Sequence, residues 1–265
     1  MTLLWGDDLS SVGRMLGEGT AAAGDPPTAD ELAGADVVYR PGAEDDPDDV
    51  LRRCADAGVG QLVVLSSARV YGASPGNDMQ LDESTEPASS FDDPDLAALA
   101  EADRVLARAA ATARKRSASG ITLLRPVHVL GDPAASTLAR ALDQGRIRTA
   151  FGFDPIMQVI HRDDVGSAVA AAFRHRLHGV FNVGGPGALP LSVLAREAGA
   201  DRVGGIGGAL ADLAGRVGLG GAAHFPQTEL QYPINVSDAA FRTAARWEPI
   251  CSLPETVAWS EGVRR

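Results

Sequence analysis

Side chains able to do acid–base and hydrogen-bonding chemistry follow two apolar runs of this sequence. The stretch VVLSSARVYG carries Ser67 and Tyr71, and the stretch LRPVHVLGDP carries Arg125 and His128. A serine hydroxyl can donate to a substrate oxygen, and a histidine can act as a base or a hydrogen-bond donor near neutral pH. Both runs have the pattern of buried strands that end in loops. In a doubly wound sheet, such strand ends hold a nucleotide cofactor.

Composition and charge limit the partners that this chain can have. Its 265 residues are 45% hydrophobic, enough for one large domain, and its net charge is −11 at pH 7. An acidic surface repels phosphate backbones and acidic lipids, so neither nucleic acid nor a membrane is expected as a partner. No apolar run reaches the length of a membrane span, and no export signal is recognised. Cys54 and Cys251 are far apart, which favours a reducing cytoplasm.

The order of apolar and amphipathic segments predicts an α/β fold with a Rossmann-like parallel sheet. Continuous Val, Leu and Ile runs alternate with helical patterns of ten or more residues, as expected when helices cover both faces of such a sheet. Predicted strands include residues 35–40, 61–67 and 121–130, and the longest predicted helix spans 95–116. The sequence has no metal-ligand spacing, no GxSxG elbow and no Walker loop, so no metal is expected.

An ordered set of motifs resembles one known superfamily. SSARVYG, DES, AEADRVLARA, LRPVHVLGDP, VIHRDDVGSAV and GVFNVGG succeed one another as in the extended short-chain dehydrogenases/reductases, above all in their NAD-dependent epimerase/dehydratase branch. The resemblance covers roughly residues 34–265. It implies a Rossmann-like core over approximately 1–131 and 157–183, shortened in its N-terminal half. It also implies a small substrate lobe over approximately 132–156 and 184–265, and a small-molecule substrate.

The first departure from that family concerns its phosphate-binding loop, a GxxGxxG segment after the first strand. The matching stretch WGDDLSSVGRML keeps only Gly6 and Gly13, as vestigial outer glycines that are one residue too far apart. A leucine or serine takes the middle position, and Asp7 and Asp8 put negative charge where a diphosphate would lie. Because like charges repel strongly at low effective dielectric, we expect this loop to repel the cofactor.

Two further departures concern the adenosine half of the site and the redox pair. About twenty residues separate Gly13 from the next predicted strand, too few for the two helices and two strands that the family places there. The family's YxxxK pair is also missing, because the single lysine, Lys115, follows Ala111 by four residues. The family's tyrosine and lysine positions align with Asp95 and Leu99. Hence no cofactor is predicted, with NAD(P) binding through unorthodox contacts as the alternative.

Five side chains are the candidate site residues that the resemblance supplies. Ser67 matches the family's substrate-orienting serine, Asp95 brings a carboxyl group whose pKa burial could raise, and His128 stands where the family often has a substrate-contacting asparagine. We predict that these three are catalytic and that Tyr71 and Arg125 bind substrate. The alternatives are structural: Ser67 would cap a strand end, Asp95 would cap a helix, and the other three would pack in the core.

Retained strand ends beside a damaged cofactor loop predict a repurposed enzyme. It would perform a non-redox cyclisation, elimination or isomerisation of a natural-product or sugar-type small molecule in the former substrate cleft. Two alternatives stay open: an NAD(P)-dependent epimerase, dehydratase or reductase, and a non-catalytic metabolite-binding or regulatory protein. By analogy with the family, helices over residues 46–57 and 95–116 could pair two copies in a homodimer.

Overall fold

The structure is a computed structural model that describes residues 1–7, 9–23, 26–116, 120–133, 135–150, 152–205, 226 and 228–263. The strands are β1 (Thr2–Trp5), β2 (Thr20–Ala22), β3 (Asp36–Tyr39), β4 (Gln61–Leu65), β5 (Gly120–Pro126), β6 (His128–Leu130), β7 (Arg146–Ala150), β8 (Ile156–His161), β9 (Gly179–Val183), β10 (Gly187–Pro190) and β11 (Asp201–Gly205). The helices are α1 (Ser10–Leu16), α2 (Ala29–Leu32), α3 (Pro47–Asp56), α4 (Pro94–Arg116), α5 (Thr137–Asp143), α6 (Arg162–Arg174), α7 (Leu191–Glu197), α8 (Ala239–Ala245) and α9 (Leu253–Val263). A short 3₁₀ helix spans Ala68–Tyr71.

The central sheet has six parallel strands in the order β2-β1-β3-β4-β5-β9. Helices α3 and α4 pack on one face, and α1 and α6 pack on the other. Because both faces are covered, β4 is buried over its whole length and β5 over most of it, which explains their continuous apolar sequences. The predicted Rossmann-like α/β fold is confirmed.

The N-terminal half of the sheet is short, as the spacing before β3 predicts. Between α1 and β3, the described residues form one three-residue strand, β2, and one four-residue helix, α2. Thr28 caps α2 in a capping box with Glu31, which explains why so short a helix forms. β2 is the edge strand at this end of the sheet, and β1 lies between β2 and β3.

A second hydrophobic cluster lies around α5, α7 and α9. These helices pack on a three-stranded sheet, β10-β8-β6, and on the parallel pair of β7 and β11. Leu138, Leu142, Ile147 and Leu194 are fully buried in this cluster. The predicted lobe boundaries stay a prediction. No helix in the described part of the chain is long and apolar enough to cross a membrane.

A buried ion pair joins α4 to the central sheet. Asp103 on α4 is fully buried and accepts hydrogen bonds from Nε and a terminal nitrogen of Arg125 on β5. The hydroxyl of Ser66, just after β4, also donates to Asp103. Arg125 donates in turn to the Tyr71 hydroxyl at 2.9 Å, and that hydroxyl donates to Asn182 Oδ1 on β9 at 2.7 Å. One polar network therefore connects α4 with three neighbouring strands.

Removing one partner of this ion pair should destabilise the fold strongly. We predict that Asp103→Ala lowers the free energy of unfolding by about 3–5 kcal/mol, since it leaves the Arg125 guanidinium buried without its counter-charge. The double variant Asp103→Leu with Arg125→Met should recover much of that loss. Urea unfolding measures the effect, and Glu101→Ala on the exposed side of α4 is the matched control. An Asp103→Ala protein as stable as the control would contradict the assignment.

Candidate functional site

A cleft of about 460 Å³ opens at the carboxyl edge of the central sheet. Residues that follow β1, β3, β4 and β5 line it, together with the first turns of α4 and α5. Ligands of open α/β sheets bind at this edge, and the volume lies in the range of small-molecule sites. The cleft is therefore the candidate functional site.

Strand β4 delivers Ser67 to the wall of the cleft. Ser66 turns inward to Asp103, and the next residue, Ser67, lies half-buried in the cleft lining. Ser67 Oγ accepts a hydrogen bond from the backbone N–H of Arg69 at 3.2 Å and so caps the short 3₁₀ helix. Because Oγ acts as an acceptor there, its hydroxyl hydrogen can rotate towards a ligand oxygen. The structural and the functional reading of this serine are thus compatible.

His128 reaches the same cleft from the start of β6. Its side chain is only 4% exposed, and burial, with the nearby positive charge of Arg69, lowers the pKa of its imidazole from 6.5 to about 3. The ring is therefore uncharged near neutral pH. A neutral imidazole can donate or accept a hydrogen bond, but a base of so low a pKa takes up protons poorly.

An arginine and a glutamate that sequence reasoning missed lie beside His128. Arg69 lines the cleft two residues after Ser67, and its Nε donates to Glu229 at 2.9 Å. Glu229 is 4% exposed, and one of its oxygens lies 4.0 Å from His128 Nε2. Arg69 belongs to the SSARVYG motif, so the sequence does offer a signal for it as a site residue. Glu229 is 160 residues away along the chain, and no pattern in the sequence pairs the two.

Asp95 lines the cleft at the start of α4 and is exposed to solvent. The residue that caps α4 is Asp93, whose Oδ1 accepts from the backbone N–H groups of Asp95 and Leu96. Asp95 therefore does not serve as the helix cap considered from the sequence, because the helix begins one residue earlier. Its exposure also removes the desolvation on which the acid–base prediction rests. Leu99, one turn further on, lines the cleft as well.

Tyr71 and Arg125 are not among the described residues that line the cleft. Both are buried in the network around Asp103, where the Arg125 guanidinium also lies over the Tyr71 ring, 4.9 Å from its centroid. Burial raises the pKa of the Tyr71 hydroxyl, and Arg125 partly offsets that rise. Their place in the fold is to hold β4, β5 and β9 together, so substrate binding by these two stays a prediction that their positions do not favour.

The turn after β1 keeps its glycines for packing. Gly6 has φ +106°, and a Cβ there would lie 2.4 Å from the carbonyl oxygen of Arg40, so a larger residue does not fit. A Cβ on Gly13 would approach the Leu4 side chain to 2.9 Å. Leu9, at the middle position, is buried in the core. Of the two predicted repelling charges, Asp7 is exposed and Asp8 lies outside the described residues.

Comparisons with known proteins identify relatives of this chain. The family model for the NAD dependent epimerase/dehydratase family matches residues 46–184. An uncharacterised protein of Mycobacterium tuberculosis and another of Mycobacterium bovis are each 29% identical over 147 residues, which is 53% of this chain. The matched stretch spans only 37% of the length of either relative.

Solved structures share the fold over nearly the whole chain. UDP-glucose 4-epimerase of Thermotoga maritima with UDP-glucose has a TM-score of 0.70 at 14% identity, covering 100% of this chain and 99% of its own. RMD of Pseudomonas aeruginosa, complexed with NADPH, has a TM-score of 0.65 at 17% identity, covering 98% and 99%. The epimerase of Thermus thermophilus, in complex with NAD, has a TM-score of 0.66 at 17% identity, covering 98% and 97%.

The prediction that this chain uses no cofactor is wrong. It rested on the altered loop after β1, the short segment before β3 and the missing YxxxK pair, whereas the shared fold holds NADPH or NAD in the matched structures of Pseudomonas aeruginosa and Thermus thermophilus. With more than half of its residues inside the matched family model, this chain belongs to the NAD dependent epimerase/dehydratase family.

Proposed function

We propose that this chain is an NAD(P)-dependent enzyme that acts on a hydroxyl- or carbonyl-bearing small molecule in the cleft. The observation that carries the proposal is the convergence of Ser67, Arg69 and His128 at the carboxyl ends of β4 and β5. Each of the three can donate a hydrogen bond to one ligand oxygen. Such a group of donors is suited to an oxygen that gains negative charge during a reaction.

The residues present fit a dinucleotide at the β1 end of the cleft. The cleft lining extends from Ser11 and Val12 of α1, the helix that follows β1, to Ser67 after β4. In doubly wound folds the diphosphate of a dinucleotide lies beside the turn between the first strand and the first helix. When bound, a nicotinamide dinucleotide supplies an acceptor or donor of hydride. In this proposal the chain's own part is to bind the substrate oxygen and to move its proton.

Ser67 and Arg69 would hold the substrate oxygen, and the uncharged His128 would orient it. The bond from Arg69 to the buried Glu229 fixes the guanidinium beside the cleft. Asp95 stands at the position that aligns with the family tyrosine and is the exposed group best suited to exchange a proton with water.

A second candidate function is a non-redox elimination or isomerisation in the same cleft. In the family, a tyrosine and a lysine support hydride chemistry, and Asp95 and Leu99 stand at the positions aligned with them. The replacement of that pair favours a reaction without hydride transfer. A base such as Asp95 would then abstract a carbon-bound proton from the substrate. The sugar-type or natural-product substrate expected from the sequence belongs to this candidate.

Isothermal titration with NAD⁺, NADH, NADP⁺ and NADPH tests the first candidate. We expect at least one dinucleotide to bind with micromolar affinity, and the absence of binding up to millimolar concentration would overturn the proposal. Screening hydroxyl- and carbonyl-bearing molecules for a change in the near-ultraviolet absorbance of the cofactor then tests turnover. For an isomerisation, product formed in D₂O carries deuterium at the reacting carbon, whereas hydride transfer leaves that carbon unlabelled. For an elimination, product formed without any dinucleotide indicates the non-redox reaction.

Loss of the Ser67 hydroxyl should slow turnover without weakening dinucleotide binding. We predict that Ser67→Ala lowers kcat by about 10²-fold, because a donor to the developing oxyanion is removed. Ser74→Ala, in the loop outside the cleft lining, is the matched control. Equal rates for both variants would show that Ser67 only caps the 3₁₀ helix.

The lowered pKa of His128 should make the fold sensitive to acid. Below about pH 6.5 the unfolded chain protonates this histidine and the folded chain does not until about pH 3, so stability falls with pH across that window. Between pH 7 and pH 5, we expect the free energy of unfolding of His128→Gln to fall by roughly 2 kcal/mol less than that of the original chain. Urea unfolding at both pH values measures this, with the exposed His175→Gln as control. Identical pH dependence in all three proteins would refute the neutral buried imidazole.

A further inference from the structure

The guanidinium of Arg69 lies between two acidic side chains at the β4 end of the cleft. Its Nε donates to both carboxylate oxygens of Glu229, at 2.9 and 3.2 Å, and its Nη2 lies 2.8 Å from Glu229 Oε1. The same Nη2 lies 3.9 Å from Oδ2 of Asp93, which belongs to the cleft lining. Glu229 is buried, so its charge acts on Arg69 with little screening by water.

The chain segment that carries Glu229 is bonded to the rest of the fold a few residues further on. The backbone N–H of Leu81 donates to the Asn235 carbonyl at 2.8 Å. The side-chain amide of Gln158 on β8 accepts from the Val236 N–H at 2.8 Å and donates to the Val236 carbonyl at 3.3 Å. Because these bonds hold the segment against the sheet, Glu229 is a fixed counter-charge for Arg69.

These contacts leave one nitrogen of the guanidinium for a ligand. Glu229 takes the edge formed by Nε and Nη2, where a carboxylate or phosphate would otherwise bind through two parallel hydrogen bonds. The other edge, formed by Nη1 and Nη2, has the Asp93 carboxylate beside Nη2. Nη1 has no partner among the residues that the structure describes. Arg69 can therefore give one hydrogen bond to one ligand oxygen.

The charges around Arg69 disfavour an anion at this point of the cleft. Glu229 offsets the positive charge of Arg69, and Asp93 and Asp95 add negative charge from the start of α4. His128 is uncharged near neutral pH and does not change this balance. A carboxylate or phosphate would enter beside like charges, whereas a carbonyl or hydroxyl oxygen needs only a single donor.

We infer that Glu229, acting through Arg69, makes the β4 end of the cleft accept an uncharged substrate oxygen and reject a carboxylate or phosphate group. Glu229 is thus a specificity-determining residue, although it is not among the described residues that line the cleft. An arginine without a counter-charge would prefer the opposite class of ligand. The inference rests on the proposed function and narrows its substrate to one with a carbonyl or hydroxyl group, and no acidic group, at Arg69.

Titration with sulfate, and with acetate as the carboxylate probe, tests the inference at constant ionic strength. We expect Glu229→Gln, which keeps the shape of the side chain and removes its charge, to lower the Kd for both anions by about tenfold or more. The double variant Arg69→Gln with Glu229→Gln should lose that gain. Arg40, Arg140 and Arg162 also line the cleft, so anions bound near them form a background common to all variants.

Asp93→Asn tests the same balance of charge from α4. Asparagine is as good a helix cap as aspartate, so the variant removes the charge beside Arg69 Nη2 and keeps the start of the helix. We expect a Kd for sulfate about threefold lower than that of the original chain. Asp92→Asn is the matched control, because it removes the same charge from the neighbouring exposed residue, outside the described cleft lining.

Equal sulfate affinity in the original chain, Glu229→Gln and Asp93→Asn would overturn the inference. A gain in Glu229→Gln that persists in the double variant would do the same, because the anion would then bind away from Arg69. Circular dichroism identifies a misfolded Glu229→Gln protein, and in that case Asp93→Asn decides. Dinucleotide titration separates the two claims: absence of dinucleotide binding would overturn the proposed function, while the expected sulfate results would still support the selection by Glu229.

Discussion

The buried ion pair between Asp103 and Arg125 is the constraint on which the cleft depends. Two charges removed from water are tolerated only when their remaining hydrogen-bonding capacity is also satisfied, and here Ser66 and Tyr71 complete the set. The pair ties α4 to β5, and Ser66 adds the end of β4. Each of these elements contributes a residue to the cleft wall, so the network holds the geometry of the candidate site.

The electrostatics of the cleft follow from a second, partly buried ion pair. Glu229 comes from the C-terminal part of the chain and binds Arg69, which follows β4. The positive charge of Arg69 and the burial of His128 act in the same direction on the imidazole, and both favour its neutral form. The cleft therefore offers fixed donors near β4 and β6 rather than a readily protonated base.

Residue patterns predict the strands of the sheet well, because the burial of each strand shows directly in its own residues. A strand covered on both faces must be apolar throughout, so the apolar runs in the sequence predict β4 and β5. The parallel order of these strands then brings Ser67 and His128 to one edge of the sheet. The pairing of Arg69 with Glu229 depends on tertiary folding over 160 positions, and no sequence pattern encodes it. The sequence also does not indicate that the Tyr71 side chain is buried, because the 3₁₀ helix after Ser67 sets which side chains face the core and which face the cleft.

The wrong cofactor prediction came from treating the loss of family motifs as the loss of the binding edge. A glycine loop is one way to receive a diphosphate, and its physical content is close approach together with positive potential. Ser11 and Val12 of α1 still line the cleft, so the edge of the sheet beside the first strand-to-helix turn remains part of the candidate site. Positive potential can come from a guanidinium as well as from helix N–H groups. Loss of the motif therefore removes one source of binding free energy while the fold retains the edge at which another can act.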